Sequence, residues 1–402
     1  METSIENYKL YARELELKAI LEVTQAINNN LPEDALYKIY HFTLRANLNI
    51  SRLCLYVWEE KWKCKVCYGT KNDYHHINLP IKTFLSKLIT NLPDISLSEE
   101  FEEFSLLIPV FHKDVPVACV LVNIPEAESA DTAFIQTLTN IIIVAIENKK
   151  LAGQQLAQEA LKKELEIAKA VQTQLFPKKL PQYGNIQVKA DYYPHQIVGG
   201  DYYDYIQIDK DQFLFCIADA SGKGISAALL MSNFQAALRA LIRQTTDLKK
   251  ILNELNYLIF QNTGGERFIT FFCALYNTNE KKFKYINAGH NPPVFLKSQG
   301  AEPEFLEKGT IVLGALNQLP FLHETIFDNI EDFLLFTYTD GLTESTNHND
   351  DEFGSDRIID FINTNRELNP EQIHEGLMKD LSDFCDGKVF SDDVTLLTCK
   401  VC

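Results

Sequence analysis

The sequence predicts an α+β protein: two mixed domains joined by a long helix. Three observations carry that expectation. The 402 residues exceed one ordinary domain. Short apolar runs with strand composition alternate with helical periodicities in both halves. Between the halves, Asp131 to Leu175 reads as helix almost throughout.

In chain order, Leu17, Ile20, Leu21, Thr24 and Ile27 recur at 3, 1, 3 and 3 residues, a helical stripe broken only by Thr24. Residues 52–58 are rich in strand formers. The turn-like Glu59-Glu60-Lys61 follows, and Trp62 to Tyr68 completes a hairpin. Phe104–Phe111 and Val115–Val122 form a second strand pair around His112-Lys113-Asp114. In the long helix Leu161, Leu165, Ala168, Gln172 and Leu175 are spaced 4, 3, 4 and 3, a heptad seam. That seam predicts a short coiled-coil linker, with a helix packed on its own domain as the alternative. Phe176-Pro177 stops it. Beyond it, Phe213–Ala218, Phe268–Tyr276, Lys282–Asn287, Phe333–Thr339 and Val394–Val401 read as strands, and Ile225–Ile242, Arg357–Ile362 and Glu371–Cys385 as helices. Leu230, Phe234, Ala237, Leu238 and Leu241 should form the buried side of the first of these helices.

Hydrophobic residues at 46% and charged residues at 23% are ordinary for a globular protein. A formal charge of −17 argues against a general nucleic-acid binder. No apolar run approaches the ~18 residues of a membrane span. Met1 to Leu10 carries Glu2 and Glu6 and lacks a signal pattern, so the expected location is cytoplasmic. Nine cysteines, an odd number in a long chain, fit reduced thiols.

The chemistry-bearing feature is a set of aspartates beside glycines or at strand ends. Asp201 follows Gly199-Gly200, Asp219 follows the strand Phe213–Ala218, Asp340 follows Phe333–Thr339, and Asp392-Asp393 precede the last strand. Each alone reads as a turn former or helix cap. Strand ends of one sheet converge, however, and two carboxylates ~4 Å apart repel by about 4 kcal/mol at an effective dielectric near 20. Four together need protons or cations. Oxygen-preferring divalent ions, Mg²⁺ or Mn²⁺, are the natural partners.

Five segments occur in a family order: Val198-Gly199-Gly200-Asp201-Tyr202-Tyr203-Asp204, Ile217-Ala218-Asp219-Ala220-Ser221-Gly222-Lys223-Gly224, Asn287-Ala288-Gly289-His290-Asn291-Pro292-Pro293, Thr339-Asp340-Gly341-Leu342-Thr343-Glu344 and Asp392-Asp393-Val394-Thr395. Together with Ala170 to Pro177, they resemble SpoIIE/RsbU-type PPM phosphatases over roughly residues 165–402. The resemblance implies an αββα sandwich with two metal ions that hydrolyses protein phosphoserine or phosphothreonine. It places Asp219 as the bridging ligand, the Ala220 carbonyl as a backbone ligand, and Asp201, Asp340 and Asp392 as further ligands. Asp393 is a ligand or an orienting neighbour, and so is Asp204. Ala220 stands where valine is more usual, without consequence for a carbonyl ligand. Lys223 reads as a solvated lysine, with phosphate positioning as the alternative. His290 reads as a turn stabiliser, with general acid as the alternative.

Residues 15–150 are similar to a GAF domain, which implies an unidentified ligand or partner there. The implied divisions are 1–150 (GAF-like sensor), 151–176 (linker) and 177–402 (phosphatase). The resemblance further implies a bacterial partner-switching system, a phosphorylated STAS-type anti-sigma-factor antagonist as substrate, and a homodimer through the linker. Two rivals are a catalytically silent phosphoprotein-binding module and a diguanylate cyclase-like enzyme, the latter suggested by Gly199-Gly200-Asp201-Tyr202-Tyr203. The later acidic segments have no place in a cyclase. Ser221-Gly222-Lys223-Gly224 fails as a P-loop, because the required flanking positions hold Ile217 and Gly224. Cys64 and Cys67, near His75-His76, are half a zinc site. In a regular strand, residues three apart face opposite ways, which argues against chelation. Cys399 and Cys402 meet the same objection.

Overall fold

The computed structural model describes residues 2–48, 50–79, 90–91, 99–112, 115–124, 132–181, 185–297 and 302–402. Its contacts divide the chain into two units, Met1–Glu159 and Ala160–Cys402.

The N-terminal unit begins with α1 (Glu2–Asn28) and α2 (Glu33–Leu48). Strands β1 (Arg52–Glu59), β2 (Lys61–Tyr68), β3 (Thr90–Asn91), β4 (Leu106–His112) and β5 (Val115–Asn123) follow, and α3 (Thr132–Thr173) leaves it. The strands form one antiparallel sheet in the order β2-β1-β5-β4-β3. Both predicted hairpins are present; Lys113-Asp114 of the second turn lies outside the described residues. One sheet face carries Leu53, Leu55, Val57, Val66 and Val120, packed with Phe134, Leu138 and Ile142 of α3 and with Leu36, Tyr40 and Leu44 of α2. The stripe expected on α1 is displaced. Ala19, Val23 and Ala26 are buried, while Leu17 and Leu21 are exposed. Side-chain size misled the periodicity: the packed line of this helix consists of two alanines and a valine, and the larger leucines point outward.

A second correction concerns β2. Leu55 pairs with Val66, but Tyr56 pairs with Cys64, so Lys65 is an extra residue, a β-bulge. The bulge cancels one step of alternation. Cys64 and Cys67 therefore share a face, together with Cys54, which pairs with Cys67. The objection raised to their acting together does not hold.

In the C-terminal unit the order is β6 (Ile186–Tyr193), β7 (Asp201–Gln207), β8 (Gln212–Ala220), α4 (Ile225–Ile242), α5 (Leu248–Thr263), β9 (Ile269–Asn277), β10 (Lys282–Ala288), β11 (Val294–Lys297), β12 (Glu304–Phe305), β13 (Gly309–Thr310), β14 (Thr325–Phe327), β15 (Phe333–Tyr338), α6 (Asp340–Thr343), α7 (Ser355–Thr364), α8 (Pro370–Cys385) and β16 (Val394–Val401). Two sheets result, β13-β10-β9-β8-β7 with β14 on β10, and β12-β11-β15-β16-β6. Period-two alternation shows why they stack. On β8, Leu214, Cys216 and Ala218 face α4 and α5, while Phe213, Phe215 and Ile217 face the other sheet. On β15 and β16, Leu335, Leu397 and Cys399 face inward, while Phe336, Tyr338 and Leu396 pack on α7 and α8. The layers are thus helix, sheet, sheet, helix, as the αββα expectation requires.

α4 is long and apolar enough, by length and composition, to cross a membrane, with a mean hydropathy of 1.4. Here its Ala227, Met231, Phe234 and Leu238 pack in the core against β8 and β9, and the predicted Ala237 and Leu241 are half-buried. The expected heptad seam is not continuous. α3 ends at Thr173, before Leu175, and Gln172 is turned into the C-terminal unit.

Candidate active site

Four of the predicted aspartates arrive from four elements. Asp201 opens β7 and is paired in register with Asp219 near the end of β8. Asp340 is the first residue of α6, directly after β15. Asp392 stands two residues before β16, the strand that pairs with β15. Two hydroxyls hold Asp201: Thr339 Oγ1 donates to its Oδ2 at 2.9 Å, and Thr395 Oγ1 to the same oxygen at 2.5 Å. Gly200 matters by what it lacks. A Cβ there would sit 2.7 Å from the Ala220 carbonyl oxygen and 3.4 Å from Asp219 Oδ1, so glycine keeps this oxygen cradle open.

The electrostatics confirm the convergence. Burial first, then the charges of Asp219 and Asp393, push the Asp201 carboxyl well above its ordinary range. Asp219 is pushed up to about 7 by burial and by the charges of Asp340, Asp392 and Asp393. Asp340 is raised by burial and by Asp392. Asp201, Asp219 and Asp340 are thus each destabilised by burial and by neighbouring charge. The set fits hard divalent cations: carboxylate oxygens with the Ala220 carbonyl beside Asp219 are the oxygen donors such ions take.

Asp393 and Asp204 are held differently from these four. Asp393 Oδ1 accepts from the His195 backbone N–H at 2.7 Å, and its Oδ2 accepts from Gly200 N–H at 2.9 Å and from the Tyr192 hydroxyl at 3.3 Å. It ties residues 195–200 to the C-terminal strand and so positions Asp201. Asp204 lies on the opposite face of β7. It takes two 2.8 Å bonds from the Arg239 guanidinium of α4 and one from the Tyr202 hydroxyl. That is a packing pair between strand and helix, with no tie to the carboxylate cluster.

Lys223 Nζ lies 2.7 Å from Asp392 Oδ2 and donates to the Ser391 carbonyl at 2.9 Å. It partly neutralises the cluster. His290 is buried beside Thr270, its Nδ1 2.8 Å from Thr270 Oγ1, and its turn is closed by bonds to and from Asn287. Burial pulls its pKa down to about 3, which keeps the imidazole neutral rather than imidazolium at neutral pH.

Four supporting residues carry no site role in the sequence reading. Thr339 and Thr395 anchor Asp201; a hydroxyl next to each acidic residue pair was the available signal. Gln172 Nε2 donates to the Gly199 carbonyl at 2.7 Å, and its Oε1 accepts from Gly199 N–H at 3.4 Å. Arg267 Nη1 donates to the Ser221 carbonyl at 3.0 Å, bringing a guanidinium onto the loop after Asp219.

Residues 209–401 match the family described as Stage II sporulation protein E (SpoIIE). The C-terminal unit is a SpoIIE-type domain. Its fold is that of the SiaA-PP2C domain of Pseudomonas aeruginosa, with a TM-score of 0.55 over 61% of this chain and 99% of that one, at 19% identity. The chain is 33% identical over 205 residues to phosphoserine phosphatase RsbU of Bacillus subtilis, covering 50% of this chain and 59% of the relative. It is 26% identical over 277 residues to protein IcfG of Synechocystis, covering 62% and 43%. The chain therefore spans less than two thirds of the length of either curated relative. The SpoIIE match begins after Asp201, so the strand-paired position of that residue rests on the register with Asp219.

Proposed function

We propose that this chain is a metal-dependent protein phosphatase acting on phosphoserine or phosphothreonine. One observation carries the reading: in a SpoIIE-type domain, buried Asp201 and half-buried Asp219, Asp340 and Asp392 stand at neighbouring strand ends, and burial with mutual charge raises the pKa of the first three. These residues would hold Mn²⁺ or Mg²⁺, with Asp219 between two ions. Bound ions would activate water and neutralise charge on the phosphoryl oxygens. The protein's own contribution is positional. Thr339 and Thr395 fix the rotamer of Asp201. Asp393 pins the glycine segment behind it, and Lys223 holds Asp392.

The name of the relative RsbU, a phosphoserine phosphatase, supports the substrate class. A STAS-type antagonist in a partner-switching pathway is the proposed target, and the cytoplasm the proposed location. The N-terminal antiparallel sheet, with its helices against one face, supports a GAF-like sensor. Exposed Leu156, Ile167 and Val171 on α3 support pairing with a second copy of the chain there. Gln172 at the end of that helix grips Gly199, two residues from Asp201, which supports transmission from helix to site.

Phosphate release from a phosphoserine protein tests the reading, with Mn²⁺ or Mg²⁺ added and with EDTA. Release with metal and none with EDTA is expected. Tight binding of the phosphoprotein without release in any metal would establish a silent binding module instead.

A further inference from the structure

The N-terminal unit holds a second cluster of ligating atoms, unrelated to the carboxylates. Cys54, Cys64 and Cys67 place their sulfur atoms all within 4.8 Å of one another. Cys54 Sγ lies 3.1 Å from Cys67 Sγ. Three features of the chain build this. β1 and β2 pair so that Cys54 faces Cys67. The bulge at Lys65 then swings Cys64 onto the same face. Finally Gly69, at φ +69°, turns the chain so that Thr70 Oγ1 comes to 3.0 Å from Cys67 Sγ. A Cβ at Gly69 would collide with the Ser51 carbonyl oxygen at 2.0 Å, so the turn depends on glycine.

We propose that these three thiols form a site for one soft, thiophilic cation, zinc or copper(I), on the sheet face opposite the helices. The donors are all sulfur, which selects such ions against the hard ions suited to the carboxylate site. Cys54 and Cys64 are buried among Tyr56, Trp62 and Tyr74, while Cys67 is half-buried. The site is therefore walled on two sides and reached past Cys67. Three protein donors with the Thr70 hydroxyl at the rim suit trigonal copper(I), or zinc completed by one oxygen. The Cys54 thiol donates toward the Cys67 sulfur, so the pair is already aligned through its lone pairs. Binding releases the thiol protons to solvent.

The test uses the full chain, reduced and stripped of metal. It is titrated anaerobically with Co²⁺, an optical stand-in for zinc, and separately with buffered copper(I). One equivalent should bind with sulfur-to-metal charge-transfer absorption. Displacement of Co²⁺ by Zn²⁺ but not by buffered copper(I) identifies a zinc site; displacement by copper(I) identifies a copper site. Cys54→Ser, Cys64→Ser and Cys67→Ser should each weaken binding at least tenfold, and Cys402→Ser, at an exposed thiol, should not. Wild-type protein gives an independent reading should a variant misfold. Bound metal should protect Cys67 from iodoacetamide while Cys402 stays reactive. Absence of the charge-transfer band, or alkylation of Cys67 at an unchanged rate with either ion, would overturn the site. So would a site that survives all three substitutions.

Discussion

The two ligand clusters of this chain obey opposite physics. In the C-terminal unit, like charges are forced together and buried, so the folded state without ions works against itself. In the N-terminal unit, three thiols lie within 4.8 Å of one another, closer than any three of the carboxylates, but neutral sulfur is content in an apolar face and packs as a small hydrophobe. The carboxylate cluster demands cations; the thiol cluster only permits one. Proximity of donors alone therefore does not measure the need for a metal. The penalty the donors pay when empty does.

That comparison can be broken most easily at Asp219. Asp219→Asn keeps the volume and removes the charge that Asp340, Asp392 and Asp393 all oppose. Phosphate release should fall by ~10²–10³-fold, the scale for losing a principal charge-stabilising group. The metal-free variant should at the same time unfold at a higher temperature than wild type. A variant both active and no more stable would separate the cluster from function.

Next in size are the residues that aim Asp201. Thr395→Val removes one of its two hydroxyl donors, and Gln172→Ala frees Gly199 from α3. Each should lower activity ~10–100-fold, the range for orienting neighbours of ligands, with rescue by raised Mn²⁺ for Thr395→Val. An unchanged metal requirement in Thr395→Val would assign that hydroxyl to packing alone.

A smaller effect is expected in the pH dependence of stability. Asp219, at about 7 in the fold, and Asp201, also raised, bind protons more tightly folded than unfolded. Between about pH 4 and pH 7 the native state thus holds more protons, so metal-free stability should fall as pH rises through that window. The loss should be on the order of 2 kcal/mol, several degrees in the Tm of the C-terminal transition. Saturating Mn²⁺ should remove it. Thermal scans at pH 5 and pH 8, with and without the ion, check this. The thiol cluster supplies the contrast and the smallest effect. Cys54→Ser should cost the N-terminal unit only about 1–2 kcal/mol, the scale for a buried hydroxyl with partners nearby, with no dependence on pH between 5 and 7.

The sequence was most legible where one period ran without interruption. The strands carrying Phe213–Ala218 and Val394–Val401 and the helix Ile225–Ile242 were found with their limits nearly intact, because each strand is a near-continuous run of apolar and strand-forming residues and the helix keeps a 3.6-residue stripe. The acidic set was readable because glycines and strand ends flagged it. α5 was missed despite good signals: Asp247 caps its start, Gly264 ends it, and Leu248, Ile251, Leu252, Leu255 and Ile259 line its buried face. β6 was missed although Ile186, Val188, Ala190 and Tyr192 alternate with Gln187, Lys189 and Asp191, and the last two pair at the sheet edge. Asp204 could have been set apart by alternation alone, since it stands three positions after Asp201 on one strand and so faces the other way. The opposite failure occurred at Cys64 and Cys67, where alternation was trusted across an inserted residue that no composition rule reveals. Gln172 sat in a heptad position but faces the domain, because a polar side chain with two buried backbone partners outweighs a short seam.

The most direct test of the central claim is a count of ions. Equilibrium dialysis against Mn²⁺ at neutral pH, with the thiols of Cys54, Cys64 and Cys67 removed by serine substitution, should find two ions per wild-type carboxylate site and fewer in Asp219→Asn. No bound Mn²⁺ in a folded chain, or undiminished binding in Asp219→Asn, would contradict the account.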